Sequence, residues 1–171
     1  MLLASAARAL PEDAELERLD AELLRALPHY DEDADLPLSG DERVDELREL
    51  VGAVDATLWV TPEYNGGLPS AIKNALDWVS RPRAVAAIKG KPSAVIGAST
   101  GSYGGVWAQD QLRKSLSIAG ARVVGEEFAV PRAHEVFEQH GDVLTPEAEP
   151  ELARILEALV AEARINAALA A

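Results

Sequence analysis

Two short runs of β-forming apolar residues each empty into a glycine-rich loop and then into an amphipathic helix. That repeated order constrains the fold more than any other feature of the chain. Residues 54–61 (Val-Asp-Ala-Thr-Leu-Trp-Val-Thr) form the first run, stopped by Pro62, and read as a strand buried on both faces. Residues 93–99 (Ser-Ala-Val-Ile-Gly-Ala-Ser) form the second, entered through Gly90 and Pro92. A third run covers 121–130, with Val123, Phe128 and Val130 as its core contacts. Helical periodicity fills the gaps. Ser39 and Glu42 have capping-box spacing ahead of Val44, Leu47, Val51 and Val54, and Pro69 opens a helix carrying Ile72, Ala75, Leu76 and Val79 on one face. Val106, Leu112, Leu116 and Ala119 predict another helix, closed by Gly120, and Leu152, Ile155, Leu156, Leu159, Val160 and Ala163 a last one. Residues 2–10 read as a helix, and 14–20 as a polar edge strand. Strands alternating with helices predict an α/β fold, a parallel sheet covered on both sides.

Composition removes whole classes of function. The 171 residues carry 16 basic and 29 acidic side chains, a net charge of −13 that disfavours non-specific binding to nucleic acid or an anionic membrane. No cysteine is present, which excludes disulfides, thiolate metal sites and cysteine nucleophiles. The excess charge is concentrated early: residues 1–63 hold five basic against seventeen acidic side chains. Asp31, Glu32, Asp33 and Asp35 lack the glycine and distal glutamate of a calcium loop and read as a solvated face. No apolar run is long enough to span a bilayer, and Met1 does not open a secretory leader. The expectation is a cytoplasmic protein, with residues 1–171 as one domain.

Ligands of open α/β sheets bind just beyond the carboxyl ends of the strands, and two loops lie there. The first is Thr61-Pro62-Glu63-Tyr64-Asn65-Gly66-Gly67-Leu68-Pro69. Its tandem glycines permit close backbone approach, so amide N–H groups can face a ligand, and the helix opening near Pro69 adds a positive dipole end. A planar, electron-rich ligand suits that environment, with Tyr64 as an apolar wall. The second is Gly97-Ala98-Ser99-Thr100-Gly101-Ser102-Tyr103-Gly104-Gly105, whose hydroxyls and glycines could hold the other edge.

The second loop also matches Gly-x-Ser-x-Gly, the nucleophile elbow of serine hydrolases, at Ser99. Asp110 and then His134 or His140 follow in the order a triad would need. A five-residue pattern with two free positions is weak, so this reading stands behind the planar-ligand one. His29, His134 and His140 show no metal spacing and read as surface or structural residues, and no metal site is expected. Trp59, Trp78 and Trp107 read first as packing residues, Trp107 with a possible place on the pocket rim.

The stretch TPEYNGGLPSAIKNALDWVSRP, residues 61–82, strongly resembles the NADPH-dependent FMN reductase family of flavodoxin-like quinone, azo and chromate reductases. GKPSAVIGASTGSYGG and AVPRAHEVFEQHGDVL are similar to later segments of that family, and the resemblance covers residues 2–165. It implies a flavodoxin-like three-layer sandwich. It also implies that Pro62, Glu63, Tyr64, Asn65 and Gly66 hold the isoalloxazine edge of FMN, with Ser99, Thr100 and Gly101 bordering the ring. NADPH would be the electron donor and a quinone or similar small molecule the acceptor, the hard chemistry belonging to the cofactor and no protein group acting as nucleophile. Kinship further implies a homodimer or homotetramer. The family opens with a buried strand and a phosphate-cradling loop, whereas Met1 here falls where the following helix should already run, so the first strand is expected to be missing. Two readings of this departure remain: a reductase whose natural chain is longer, or a truncated, non-catalytic homologue serving as scaffold or partner.

Overall fold

The computed structural model describes residues 1–34, 40–140 and 144–170. In chain order these form α1 (Leu2–Ala9), α2 (Ala21–Ala26), a 3-10 turn (Glu32–Ala34), α3 (Glu42–Ala53), β1 (Thr57–Thr61), α4 (Ser70–Val79), β2 (Pro92–Ala98) and α5 (Val106–Ala119). The remainder are β3 (Arg122–Val123), β4 (Phe128–Val130), α6 (Ala133–His140) and α7 (Glu149–Ala170).

Among the described residues, every pairing between these strands is parallel. β1 lies beside β2 from Thr57 opposite Ser93 to Thr61 opposite Gly97. The other edge of β2 takes both β3, with Pro92 opposite Arg122, and β4, with Ile96 opposite Phe128. The strand expected over 121–130 is thus two short pieces along one edge. Val124 still donates to the Ser93 carbonyl at 2.9 Å, and the chain leaves the ladder at Gly125, whose φ is 72°; α5 then braces the break from the side. The side-chain oxygen of buried Gln109 accepts the Phe128 N–H at 3.2 Å, and Arg113 donates to the Gly125 carbonyl at 2.7 Å.

Side-chain alternation along β2 builds the layers. Ala94 and Ile96 enter one core with Leu2 and Ala6 of α1 and Leu152, Ile155, Leu156 and Leu159 of α7. Val95 enters the other, with Val44 and Leu47 of α3, Ala75, Leu76, Trp78 and Val79 of α4, and Leu112 and Leu116 of α5. Helices therefore cover both faces of a parallel sheet, as the alternation of elements predicts.

Three expectations need correction. β1 is not buried on both faces: residues 57–60 are half-buried, and β2 is its one strand neighbour among the described residues. Residues 14–20 form no strand, since no strand lies alongside to complete a ladder and a lone extended segment is not stable. The cap of α3 is Asp41, whose carboxylate accepts the Arg43 N–H at 3.0 Å; Ser39 lies outside the described residues. Hydrogen bonds from the Arg43 guanidinium hold the Asp41 carboxyl below the ordinary carboxylate range.

Candidate functional site

β1 and β2 point the same way and end in register, so the segments that follow them (loop A, 62–69, and loop B, 99–105) emerge side by side. Loop A is a tight turn. Tyr64 and Gly67 exchange both backbone hydrogen bonds, at 3.2 and 3.1 Å, across Asn65 (φ 53°) and Gly66 (φ 69°). Positive φ at both central positions is the signature of the turn that Asn-Gly favours. Thr61 beneath it is buried and donates to the Pro62 carbonyl at 2.7 Å. At the far end the Leu68 N–H is accepted by the side chain of Gln111 on α5, at 3.0 Å.

Loop B is held from outside. Its Ser99 N–H donates to the Val130 carbonyl at 3.1 Å, the Ser99 carbonyl accepts from Ala133 at 2.9 Å, and the Gly101 carbonyl accepts from Arg132 at 2.9 Å. Gly104, at φ 64°, lies flat on the end of β4. A Cβ there would stand 2.8 Å from the backbone nitrogens of Val130 and Pro131, so no other residue fits.

Glu63 joins the two loops. Its Oε2 accepts the N–H of Trp107 at 3.0 Å and of Ala108 at 3.1 Å, in the first turn of α5. Nothing in the sequence signals this bond, which spans two loops. The same is true of Gln109 and Gln111, helix residues whose side chains serve other segments.

The resulting rim is aromatic and open. Tyr64 and Tyr103 are exposed, and Trp107, against the packing expectation, is 46% exposed, with its ring centroid 4.9 Å from that of Tyr103. As the second residue of α5 it precedes Ala108, the first to turn into the core, so its side chain faces out. Trp78 by contrast is buried and Trp59 half-buried. Trp78 and Asn74 both donate to the Pro28 carbonyl, at 2.8 and 2.9 Å, while Asn74 also accepts the Tyr30 N–H at 2.8 Å. This second half of the 61–82 stretch thus stitches residues 28–30 onto α4.

The hydrolase constellation does not assemble. The Ser99 hydroxyl accepts the Gly101 N–H at 3.0 Å, and no histidine bonds to it among the described residues. Asp110 is exposed on α5, His134 lies 3.7 Å from Glu135, and the side chain of His140 is outside the described residues. His29 is exposed. Among the described residues no cluster of His, Asp or Glu could hold a metal ion. Asp31, Glu32 and Asp33 are exposed, as a solvated acidic run should be; Asp35 falls outside the described residues.

The profile of the NADPH-dependent FMN reductase family matches residues 1–135. The chain belongs to that family. An NAD(P)H-dependent FMN reductase of Pseudomonas aeruginosa is 35% identical over 137 residues, which cover 80% of this chain and 73% of the relative. A 2-hydroxy-1,4-benzoquinone reductase of a Burkholderia species is 39% identical over 103 residues, covering 60% of this chain and 54% of the relative. Among solved structures, the flavoenzyme FerB of Paracoccus denitrificans, an NAD(P)H:(acceptor) oxidoreductase, superposes with a TM-score of 0.80 at 32% identity, over 96% of this chain and 88% of that one. The chain is accordingly an NAD(P)H-dependent flavin oxidoreductase of flavodoxin-like fold, with FMN and NAD(P)H as its cofactors.

The donor set of the loops fits the flavin. Among the described residues no protein acceptor takes the main-chain N–H of Asn65, Gly66 or Thr100, and loop A runs directly into α4, whose cap Pro69 offers no side-chain bond. Free amides and a helix N-terminus suit the carbonyl and nitrogen acceptors along a ring edge that becomes electron-rich on reduction.

Proposed function

We propose that this reductase holds FMN between loops A and B and delivers electrons from NAD(P)H to a quinone-like or other small acceptor. Pro62, the main chain at Glu63, Tyr64, Asn65 and Gly66 take one edge of the ring, and Ser99, Thr100 and Gly101 border it. The supporting observation is the adjacency of two loops that present unpaired amides at neighbouring strand ends. When bound, FMN supplies the two-electron redox chemistry between NAD(P)H and the acceptor. The protein's part is to orient the ring by main-chain donors, leave one face open to reactants in turn, and keep negative charge tolerable at the ring edge. Tyr103 and Trp107, exposed at the rim, offer apolar surface to a flat acceptor. The quinone assignment draws on the benzoquinone reductase likeness, which spans about half of that relative.

A homodimer or homotetramer goes with this reading, as does a cytoplasmic location and a single flavodoxin-like domain over residues 1–171; no helix among the described residues is long and apolar enough to cross a membrane. Light scattering on the purified chain tests the assembly.

Asn65→Asp tests the site. Asparagine and aspartate both tolerate positive φ, so the turn survives while a carboxylate replaces an amide beside the ring. FMN titration of the purified protein should show affinity reduced about tenfold, equivalent to ~1.4 kcal/mol, and NADPH-dependent benzoquinone reduction should slow with it. Unaltered FMN binding and quinone reduction in that variant would remove Asn65 from the site.

A further inference from the structure

We propose that the side chain of Glu63 is a positioning group: its carboxylate ties loop A to the first turn of α5, fixing the spacing of loops A and B and neutralising the positive end of that helix, and the carboxylate itself does not touch the flavin. The proposal rests on the FMN reading of the site.

A helix N-terminus leaves its first amides without partners, and the residue at the cap normally supplies the acceptor. α5 cannot do this for itself. Its cap is Gly105, at φ 87°, and it has no side chain to offer. Gly104 and Gly105 are required to let loop B lie on β4 and turn into the helix, so the cap must come from elsewhere. Glu63 supplies it from the neighbouring loop, with one oxygen on two amides at 3.0 and 3.1 Å. The fit is close, since a Cβ on Gly105 would stand 3.7 Å from the Cβ of Glu63.

Two consequences follow. A carboxylate on these amides consumes the anion-attracting end of α5, so α4, which has no side-chain cap, is left as the helix terminus that favours a negative ring edge. Also, Glu63 is one residue from Tyr64 and two from Asn65, so whatever fixes its carboxylate fixes the amides of the turn relative to loop B.

Glu63→Gln and Glu63→Ala separate charge from tether, because the glutamine oxygen can still accept both N–H groups whereas alanine accepts none. In the ligand-free 171-residue chain, amide NMR shifts of Trp107 and Ala108 should move together with pH as one carboxyl titrates, and that titration should vanish in Glu63→Gln. With FMN added, Glu63→Gln should bind within threefold of the parent while its bound flavin has a more positive midpoint potential, a negative charge having been removed nearby. Glu63→Ala should bind at least tenfold more weakly. Where Glu63→Ala does not fold, the amide titration and the potential of Glu63→Gln carry the test. The proposal is overturned if the two amides ignore the titration, if Glu63→Gln leaves the potential unchanged, if it weakens FMN as much as Glu63→Ala does, or if Glu63→Ala binds FMN like the parent. A parent chain that takes up no FMN would defeat the flavin reading alone, because the ligand-free amide titration would still judge the tether.

Discussion

Loops A and B leave adjacent strand ends but are held in opposite ways. Loop A closes on itself through the paired bonds of Tyr64 and Gly67, and its central residues touch little else. Loop B makes one internal side-chain bond, from Gly101 to Ser99, and otherwise hangs on Val130, Arg132, Ala133 and, through α5, Glu63. A turn of the first kind can form from local sequence alone. The second kind has its shape only after β4 and α6 are in place. The difference teaches that the same glycine-rich appearance serves two purposes: positive φ in loop A, and positive φ together with absolute lack of space in loop B.

Substitutions should divide along that line. Gly104→Ala combines left-handed strain with backbone atoms at 2.8 Å that cannot give way, and should cost about 3 kcal/mol or more in urea unfolding. Gly66→Ala, with a similar φ but nothing within 4 Å, should cost only about 1 kcal/mol of strain. Equal losses from the two would erase the contrast.

Gly97→Ala tests the floor beneath loop B. Its Cβ would meet Gln109 Nε2 at 2.7 Å, and Gln109 is fully buried, so the expected loss is about 2 kcal/mol. Combining it with Gln109→Ala, which frees the space but orphans the Phe128 N–H, should give a double-mutant loss well below the sum of the single ones. Strict additivity would mean that the two side chains do not compete.

Gln111→Ala removes the one outside bond described at the far end of loop A, to Leu68, and should lower stability by ~0.5–1 kcal/mol. Because the Tyr64–Gly67 turn is self-closed and Glu63 fixes its place, FMN affinity should fall less than threefold; a large fall would show that the turn depends on Gln111 as well.

The smallest effect lies away from both loops. The Asp41 carboxyl is lowered in the folded chain, chiefly by its hydrogen bond from the Arg43 side chain. Its contribution is therefore present above the unfolded-state value and is lost as pH falls through the depressed one. Unfolding followed from pH 5 to pH 2 should be less pH-sensitive in Asp41→Ala than in the parent, with FMN binding near neutrality unaltered.

Much of this arrangement is legible in residues read locally. The stripes on α4 and α7 lie where the periodicity places them, buried except at half-buried Ile72, Val160 and Ala163, and β2 carries the apolar run of a strand covered on both sides. The loop positions at strand ends follow from α/β topology, whereas the turn centres on Asn65 and Gly66 and not on the tandem glycines Gly66 and Gly67 that the sequence singles out. The break between β3 and β4 was not legible, because Val123, Phe128 and Val130 look the same whether or not the chain turns out of the ladder at Gly125. Nor was the half-exposure of β1, which depends on what lies beside it rather than on its own residues. Trp107 faces outward because of its phase on α5, one residue before the buried positions begin.

The sequence by itself determined the α/β order, the helix faces and the family, since each depends on residues close together in the chain or on a contiguous motif. Tertiary structure alone decided that Glu63 caps a helix reached only after an intervening helix and strand, and that Gln109 and Gln111 serve segments other than their own. Side-chain oxygens and amides find partners by distance in space, and sequence separation carries no trace of that distance until the sheet brings the loops together.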